Sequence, residues 1–342
     1  WTHLWTSIPM AALLAAAFLL AACGEADVPS VTTPGSAITA EAEMIEQTAD
    51  ERTYDDWALE EVPLEEPPSI GRLTFLRVFD DQLFVIDGAN WNVKRYELNG
   101  ELEAVYGNGR GQGPGEIQTI MSYSVTGKEA VWIVDPNARR VSRFRYDDGT
   151  FVESFRTEFA PMRVAAVGED RLVLQMFAQP KLFALVNEKG EVQKRFGEIR
   201  DGVHGMSSDG YLFPRPSGGF VWAPIHASYL FFYDENAELD RRMELIDGHS
   251  FSQTDSGLGG AAPVGPPQRT LDVSVTAETV FVTTLMRNRE PTVSVLDRYD
   301  RESGQYLGTV HVPSDGYHYV VHDGTIYGDI GYTTLQSLRI RR

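Results

Sequence analysis

Two strand-like runs around a tight polar turn recur five times along the chain. In the first copy, Val93-x-x-Tyr96 precedes the turn Asn99-Gly100, and Leu102-x-x-x-Tyr106 follows it. The other copies place apolar residues at similar offsets around Asp148-Gly149, Lys189-Gly190, Asn236-Ala237 and Ser303-Gly304. Successive turns are 49, 41, 47 and 67 residues apart. Short strands repeating at such a period predict an all-β fold built from propeller blades.

Each repeat also contains a second, uniformly apolar run upstream of its turn. A strand that is apolar on both faces is expected to be buried on both, as in a blade packed between two neighbours. These runs are Leu83 to Ile86, Val131 to Val134, Leu172 to Leu174, Phe220 to Ala223 and Val280 to Thr283. The long last step contains Gly248 to Arg269, rich in Gly, Ser and Pro, which we interpret as an insertion rather than a missing blade.

A sixth unit begins at Tyr317 but ends one strand short. It supplies runs at Tyr319 to His322 and Ile326 to Ile330, then Leu335-x-x-Leu338. Trp57 to Leu64 is a strand-like run that precedes the first repeat. We predict that this N-terminal strand completes the last blade, because closing the ring removes exposed strand edges. The prediction is a six-bladed β-propeller over residues 54–342.

The N-terminus has the pattern of an export signal. Ile8 to Ala22 is apolar but too short to span a bilayer comfortably, and it ends Leu20-Ala21-Ala22-Cys23. This ending resembles the bacterial lipobox, in which the cysteine is acylated and the preceding bond is cleaved. We predict a signal peptide over residues 1–22 and lipidation of Cys23, the one cysteine in the chain. The alternative is a buried free cysteine beside an ordinary signal peptide.

Two details bear on location. The basic segment that opens such signals is absent and the sequence begins with Trp1, so we expect the natural chain to begin upstream. Gly24 stands where an aspartate retains some bacterial lipoproteins in the inner membrane. We therefore expect the bacterial cell envelope, with the anchor in the outer membrane and the protein facing the periplasm or the cell surface.

The residues after Cys23 are strongly acidic. Between Gly24 and Ile70 there are 13 acidic residues and one basic residue, Arg52, in a chain of net charge −19. Residues 23–53 are also poor in large apolar side chains, which predicts a flexible, solvated linker between the lipid and the propeller. An acidic protein repels phosphate backbones, so nucleic acid is excluded as an expected partner.

The chain resembles the six-bladed, NHL-repeat-like β-propeller family, in particular its bacterial lipoprotein branch. The residues that carry the resemblance are Phe84-Val85-Ile86-Asp87, Val93-Lys94-Arg95-Tyr96, Asn99-Gly100 and Gly107 to Ile117. That last loop follows a Gly-x-Gly-x-Gly-Pro-Gly-Glu-Phe pattern, with Ile117 in place of Phe. The resemblance implies fold and anchoring rather than a reaction.

We predict a binding or scaffolding module for a protein, peptide or glycan, with no cofactor and no metal. The candidate binding loop is the insertion, represented by Gly248, Ser250, Phe251, Gln253, Asp255 and Arg269. Relatives of this fold imply an alternative, a calcium-dependent lactonase or related hydrolase with its metal in the central channel. A structural protein associated with peptidoglycan or another polysaccharide is a third hypothesis. No catalytic residues are assigned.

Other chemical signals have structural interpretations that we favour. The glycine-rich loop lacks the Lys-Ser/Thr ending of a phosphate-binding loop, so we expect a crossover between blades. Asp87 and Asp135 each follow a second strand and are expected to cap their own turns, with metal binding as the alternative. His318 and His322 would lie about 13 Å apart on a strand, too far to share an ion. We expect packing between blades, rather than ligand stacking, of the aromatic residues Trp91, Trp132, Trp222, Tyr229, Phe231 and Phe232.

Overall fold

The computed structural model describes most of the chain beyond residue 41. The described ranges are 42–66, 68–177, 179–198, 208–215, 218–225, 227–248, 254–255, 261–262, 268–286, 293–312 and 316–341. Every regular element within these ranges is a β-strand. None of them contains a helix long and apolar enough to cross a membrane.

Six four-stranded antiparallel sheets form the blades. Two short strands come first, β1 (Glu43–Ile45) and β2 (Ala58–Glu61). Blade 1 is β3 (Leu73–Phe79), β4 (Gln82–Asp87), β5 (Asn92–Glu97) and β6 (Leu102–Tyr106). Blade 2 is β7 (Ser122–Thr126), β8 (Ala130–Asp135), β9 (Arg140–Arg145) and β10 (Phe151–Arg156). Blade 3 is β11 (Pro161–Val167), β12 (Arg171–Met176), β13 (Lys181–Asn187) and β14 (Val192–Glu198).

The second half of the ring follows the same plan. Blade 4 is β15 (Gly210–Pro214), β16 (Phe220–Pro224), β17 (Tyr229–Tyr233) and β18 (Leu239–Glu244). A small hairpin of β19 (Thr254–Asp255) and β20 (Ala261–Ala262) lies in the connection to the next blade. Blade 5 is β21 (Gln268–Val275), β22 (Thr279–Met286), β23 (Val293–Asp300) and β24 (Tyr306–His311). Blade 6 contains β25 (Tyr319–His322), β26 (Thr325–Ile330) and β27 (Thr334–Arg341), and β2 is its fourth strand.

The alternating strand directions define two faces of the ring. The crossover face carries the connections between blades and the turns between second and third strands. The hairpin face carries the turns between first and second strands and between third and fourth strands. The insertion joins β18 to β21, so both of its ends lie on the crossover face.

The turn that defines the repeat has the same backbone geometry in five blades. Gly100, Gly149, Gly190, Ala237 and Gly304 all have positive φ, between 57° and 100°. A register shift lies beside each of these turns, where the third strand pairs with the fourth. A left-handed residue followed by a bulge closes a hairpin without splaying its strands. The register deduced from the sequence is therefore confirmed.

Burial of the second strands holds neighbouring blades together. Every residue of β8 is buried, as is every residue of β4 after its first. Between blades 1 and 2, the ring of Phe84 packs within about 6 Å of those of Tyr106, Tyr123 and Tyr146. The predicted core strands and their packing between blades are confirmed.

Strand β2 closes the ring, as predicted. It pairs antiparallel with β27, with Ala58 opposite Arg341 and Glu61 opposite Leu338. Beyond the strand, the Val62 amide donates to the carbonyl of Ser337 at 2.9 Å. The first and last parts of the propeller are thus joined by main-chain hydrogen bonds.

The segment before β2 runs along the outer edges of blades 4 and 5. Strand β1 adds to blade 4 by pairing in parallel with β18, with Glu43 opposite Arg241. Further on, Tyr54 forms a parallel bridge with Thr309 of blade 5. The predicted linker, residues 23–53, therefore differs from the structure over 42–53, which lie against the propeller. Residues 23–41 are outside the described residues.

Arg52 explains why this acidic segment is held. Its guanidinium donates two hydrogen bonds of 2.8 Å to Asp297 and two more to Asp247. Side chains of Thr284 and Thr309 also donate to Asp297. Burial works against the charge on Arg52, but the hydrogen bonds to both carboxylates outweigh it and raise its pKa. The one basic residue of the segment therefore pairs with two acids at the seam of blades 4 and 5 and offsets part of their charge.

We predict that Arg52→Leu lowers the free energy of unfolding by about 3–5 kcal/mol, because it leaves two buried carboxylates without a counter-charge. Urea unfolding followed by tryptophan fluorescence measures the change. Arg341→Ala is the matched control, since its ion pair with Glu60 also joins the N-terminal segment to the ring but is 56% exposed on both sides. The control should cost under about 1 kcal/mol. Equal effects of the two substitutions would contradict the role of Arg52.

Candidate functional site

The first strands of the blades form the inner ring around the propeller axis. Strand β7 contacts β11, β11 contacts β15, β15 contacts β21, β21 contacts β25 and β25 contacts β3. Side chains from, or directly next to, all six of these strands meet in one cluster, which we call the axial cluster. Its members are Phe75, Arg77, Tyr123, Arg163, Tyr211, Phe213, Asp272 and His318.

Aromatic rings bridge the axis. Phe75 of blade 1 stacks on Tyr211 of blade 4, with centroids 5.7 Å apart and an interplanar angle of 14°. The edges of Tyr123 and His318 meet Phe75 at 5.9 and 6.3 Å. Blades 1 and 4 are opposite each other in a ring of six, so this stack closes the channel at its level.

Arg77 crosses the axis beside the stack. Its guanidinium carbon lies 4.5 Å from the ring centre of Phe75 and 4.3 Å from that of Phe213. One of its terminal nitrogens donates to the carbonyl of Leu212 on blade 4. The Nε atom is buried without a hydrogen-bond partner among the described residues. Burial lowers the pKa of Arg77, while the nearby carboxylate of Asp272 acts in the opposite direction.

Asp272 is the acidic member of the axial cluster. Its Oδ1 atom accepts the backbone N–H of Val273 at 2.7 Å, whereas Oδ2 is buried and has no partner in the described part of the chain. Burial disfavours the charged form and raises the pKa of Asp272 to about 8, although Arg77 opposes the shift. Burial therefore favours the protonated form of this carboxyl group.

Arg163 and His318 complete the polar part of the cluster. Arg163 donates to the carbonyl of Gly210 at 3.2 Å and to the carboxylate of Asp209 at 3.1 Å, and it lies over the ring of Tyr211. Burial lowers the pKa of His318, against an opposing effect of Asp329, so the imidazole is neutral at pH 7. Its Nδ1 atom is buried and unpaired within the described ranges.

The axial cluster is suited to holding small polar molecules rather than a divalent cation. It offers unpaired polar atoms on Arg77, Asp272 and His318, which internal water satisfies in many proteins. Calcium takes six to eight oxygen ligands, whereas this cluster contributes one carboxyl group beside two guanidinium groups. No group of three or more metal-ligating side chains occurs among the described residues.

We predict that titration of Asp272 makes the protein less stable as the pH rises. The folded-state pKa lies above the unfolded value, so the folded state holds the proton longer and loses stability between about pH 4 and 8. Asp272→Asn removes this loss. The free energy of unfolding of the variant minus that of the wild type should therefore increase by up to about 1.4 kcal/mol per pH unit from pH 5 to 8. Denaturant titrations across this range measure the difference, and a constant difference would contradict the prediction.

The predicted binding loop is only partly visible. Gly248 follows blade 4, and the backbone of Asp255 belongs to β19, while Arg269 lies on β21. Ser250, Phe251 and Gln253 lie outside the described residues. The structure therefore places the ends of the loop on the crossover face and leaves its binding role as a prediction.

The acids that end the second strands are structural. Asp87 accepts the backbone N–H of Gly71 at 2.9 Å and that of Ala89 in its own turn at 3.2 Å, which confirms the capping role. Burial favours the neutral form, but hydrogen bonds from Gly71 and Lys94 outweigh it and lower the pKa of Asp87 to about 2. Asp135 and Asp329 accept the N–H groups at the entry of their own blades in the same way.

The glycine-rich loop satisfies its own backbone. Its chain returns on itself through bonds from the Asn108 amide to Gly115 and from the Ile117 amide to Gly109, both 2.9 Å. The carboxylate of Glu116 accepts the Gly113 amide at 2.8 Å. The loop joins β6 to β7, so its interpretation as a crossover between blades is confirmed.

The predicted histidine and aromatic sites have separate roles. His318 belongs to the axial cluster, whereas His322 lies 2.7 Å from Asp81 near the surface. Trp132 and Trp222 are fully buried between blades. Trp91 is half-buried beneath Arg110. Of the remaining aromatic residues that the sequence singled out, Tyr229, Phe231 and Phe232 are buried, as expected for packing between blades.

Sequence reasoning missed the axial cluster. For Arg77 the signal was a charged residue inside the largely apolar first strand Leu73–Phe79. Asp272 gave a weaker signal, because its strand Gln268–Val275 contains several other polar residues. Such residues are expensive to bury, so they mark places where the fold supplies partners across the ring. Their convergence depends on the closed ring and cannot be read from any single repeat.

Comparison with known proteins identifies the architecture. No protein-family model matches the sequence, and no curated protein matches it. A Bacteroides fragilis protein described as exported is 12% identical, with a TM-score of 0.66, over 88% of this chain and 99% of that one. The protein is a six-bladed β-propeller. At this identity the likeness shows the fold alone.

Two other propeller structures show how varied proteins of this fold are. A member of the DUF4221 family from Bacteroides vulgatus is 10% identical, with a TM-score of 0.56, over 84% of this propeller chain and 98% of that chain. Virginiamycin B lyase from Staphylococcus aureus is 9% identical, with a TM-score of 0.54, over 83% and 99%. An enzyme and a protein described as exported therefore share this architecture.

Proposed function

We propose that the protein is an exported propeller, anchored to a bacterial membrane through Cys23, that binds a protein, peptide or glycan partner. The observation that carries the proposal is the side-chain stack across the axis. Because Phe75 and Tyr211 meet there, and Arg77 crosses beside them, a ligand cannot pass through the ring at that level. Recognition is then a property of the two faces and the rim.

The path of the N-terminal segment favours one orientation. Strand β18 runs from the hairpin face towards the crossover face, and β1 lies parallel to it. The chain therefore enters β1 from the hairpin face, where the carbonyl of Ala42 accepts a hydrogen bond from Arg242 at 3.1 Å. In our proposal the hairpin face is turned towards the membrane, and the crossover face, with the ends of the 248–269 insertion, is presented to the partner.

The anchoring proposal predicts the behaviour of Cys23→Ser. Loss of the thiol removes the site of acylation, so the protein should move from the membrane fraction to the soluble fraction of the envelope. Cell fractionation followed by immunoblotting measures this, with Cys23→Ala as a second variant. A protein that stays with the membrane in both variants would contradict lipid anchoring.

The binding proposal predicts that the insertion selects the partner. Replacing residues 249–267 with a short Gly-Ser linker should abolish capture of that partner from an envelope extract. The ends to be joined are Gly248, which follows β18, and Gln268, the first residue of β21. As a control, Arg341→Ala removes an exposed ion pair on blade 6, outside the insertion, and should leave capture intact. Capture that survives the replacement would reject the insertion as the binding site.

A further inference from the structure

A basic cleft opens on the hairpin face, at the seam of blades 4 and 5. The cleft is small and is open to solvent. Its walls are three arginines and four apolar side chains. They are Arg215, Arg241, Arg301, Val221, Phe232, Val275 and Val280. Three positive charges around one cleft stand out in a chain of net charge −19.

Backbone carbonyls hold two of these arginines in place. Arg241 donates to the carbonyls of Glu302 at 3.0 Å and of Arg301 at 2.9 Å. Arg301 donates in turn to the carbonyls of Thr276 and Ala277, both at 3.3 Å. Neither Arg241 nor Arg301 forms an ion pair with a carboxylate in the described part of the chain. Neutral acceptors fix their positions, and only the more distant carboxylates of Asp240 and Glu43 offset the charge of Arg241.

The third arginine is partly neutralised. Arg215 donates to the carbonyl of Tyr233 at 3.0 Å and lies 3.4 Å from the carboxylate of Asp240, which is 53% exposed. One aromatic ring also holds two of these arginines in place. Phe232 lies beneath Arg215 and Arg241, with its ring centre 5.8 and 4.4 Å from their guanidinium carbons. Stacking keeps the planes of these two guanidinium groups fixed. Each guanidinium group has five N–H donors, more than the carbonyl and carboxylate contacts use.

The arginines repel one another. Burial lowers the pKa of Arg241. The positive charges of Arg215 and Arg301 lower it further, whereas the acidic side chains of Asp240 and Glu43 act in the opposite direction. Its Nε atom is buried and has no partner among the described residues. Like charges held together at a cost, with only one adjacent ion pair, are typical of sites that bind an anion.

We propose that this cleft binds a phosphate group. Three arginines against Asp240 and Glu43 leave the site with a net charge of about +1, the sign that attracts a phosphate monoester, which carries about −1.5 to −2 at neutral pH. A tetrahedral oxyanion can accept hydrogen bonds from three directions, whereas a carboxylate offers two oxygens. Arginine is the side chain best suited to such multidentate contacts.

The phosphate group has two sources, free phosphate and a phospholipid headgroup. The cleft lies beside the start of β1, where Glu43 is opposite Arg241. Residues 24–41 separate Ala42 from Cys23, a span of at most about 65 Å when extended. If Cys23 is acylated, the headgroups are within reach of the cleft. The lipid source therefore rests on the proposed anchoring, and the free-phosphate source does not.

The test uses the Cys23→Ser chain, so that no acyl group brings the protein to a vesicle. Isothermal titration calorimetry measures the affinity for inorganic phosphate at a constant ionic strength set with sodium chloride. The affinity of the Cys23→Ser parent is compared with those of its Arg301→Gln and Arg241→Gln variants. We expect at least a tenfold weaker affinity in each variant. Arg339→Gln, an exposed arginine on β27, is the charge-matched control and should bind as the parent does. Arg301→Gln is the less disruptive of the two variants, because the Arg301 side chain donates no hydrogen bond to another residue that lines the cleft.

A second arm identifies the source. Sedimentation with vesicles of phosphatidylcholine containing phosphatidic acid is repeated with 10-fold excess inorganic phosphate as competitor. Binding to vesicles that depends on Arg301 and is competed by phosphate assigns the lipid headgroup. Phosphate binding without vesicle binding assigns the free ion. Failure of both arms, or equal binding by Arg301→Gln and its parent, would overturn the proposal while leaving lipidation of Cys23 untouched.

Discussion

Pairing of β2 with β27 is the contact on which the rest of the propeller depends. A blade buries both faces only if it has a neighbour on each side, and an open ring would leave one face of blade 1 and one of blade 6 in water. The four residues of β2 supply the missing outer strand from the far end of the chain. Ring closure therefore joins segments that are separated by more than 270 residues in sequence.

The N-terminal segment does more than close the ring. Before reaching blade 6 it adds a strand to blade 4 and is clamped to blade 5 through Arg52. This clamp solves an electrostatic problem, because an acidic segment lies against a surface that already holds buried aspartates. The same segment begins at the hairpin face, where β1 enters beside blade 4.

Much of the architecture was predictable because it depends on short-range sequence patterns that recur in each repeat. The positive-φ turn, illustrated by Gly100, and the apolar second strand, illustrated by Val131 to Val134, are short-range signals with one structural meaning. The axial cluster and the basic cleft were not predictable. Arg77 meets Asp272, and Arg241 meets Arg301, only after non-adjacent strands have been brought together. The ordering of residues 42–53 was missed because composition indicates solvation, whereas the buried partners of Arg52 lie about 200 residues away.

Native-state hydrogen exchange tests the central claim, that the N-terminal strand is an integral part of a closed ring. The amide of Val62, which donates to Ser337, and the amides of β2 are compared with those of the inner strands. If closure is cooperative, they exchange within about tenfold of the core amides, through the same global opening. Exchange of β2 and Val62 more than about a thousandfold faster than the core would show a fraying end and contradict the account.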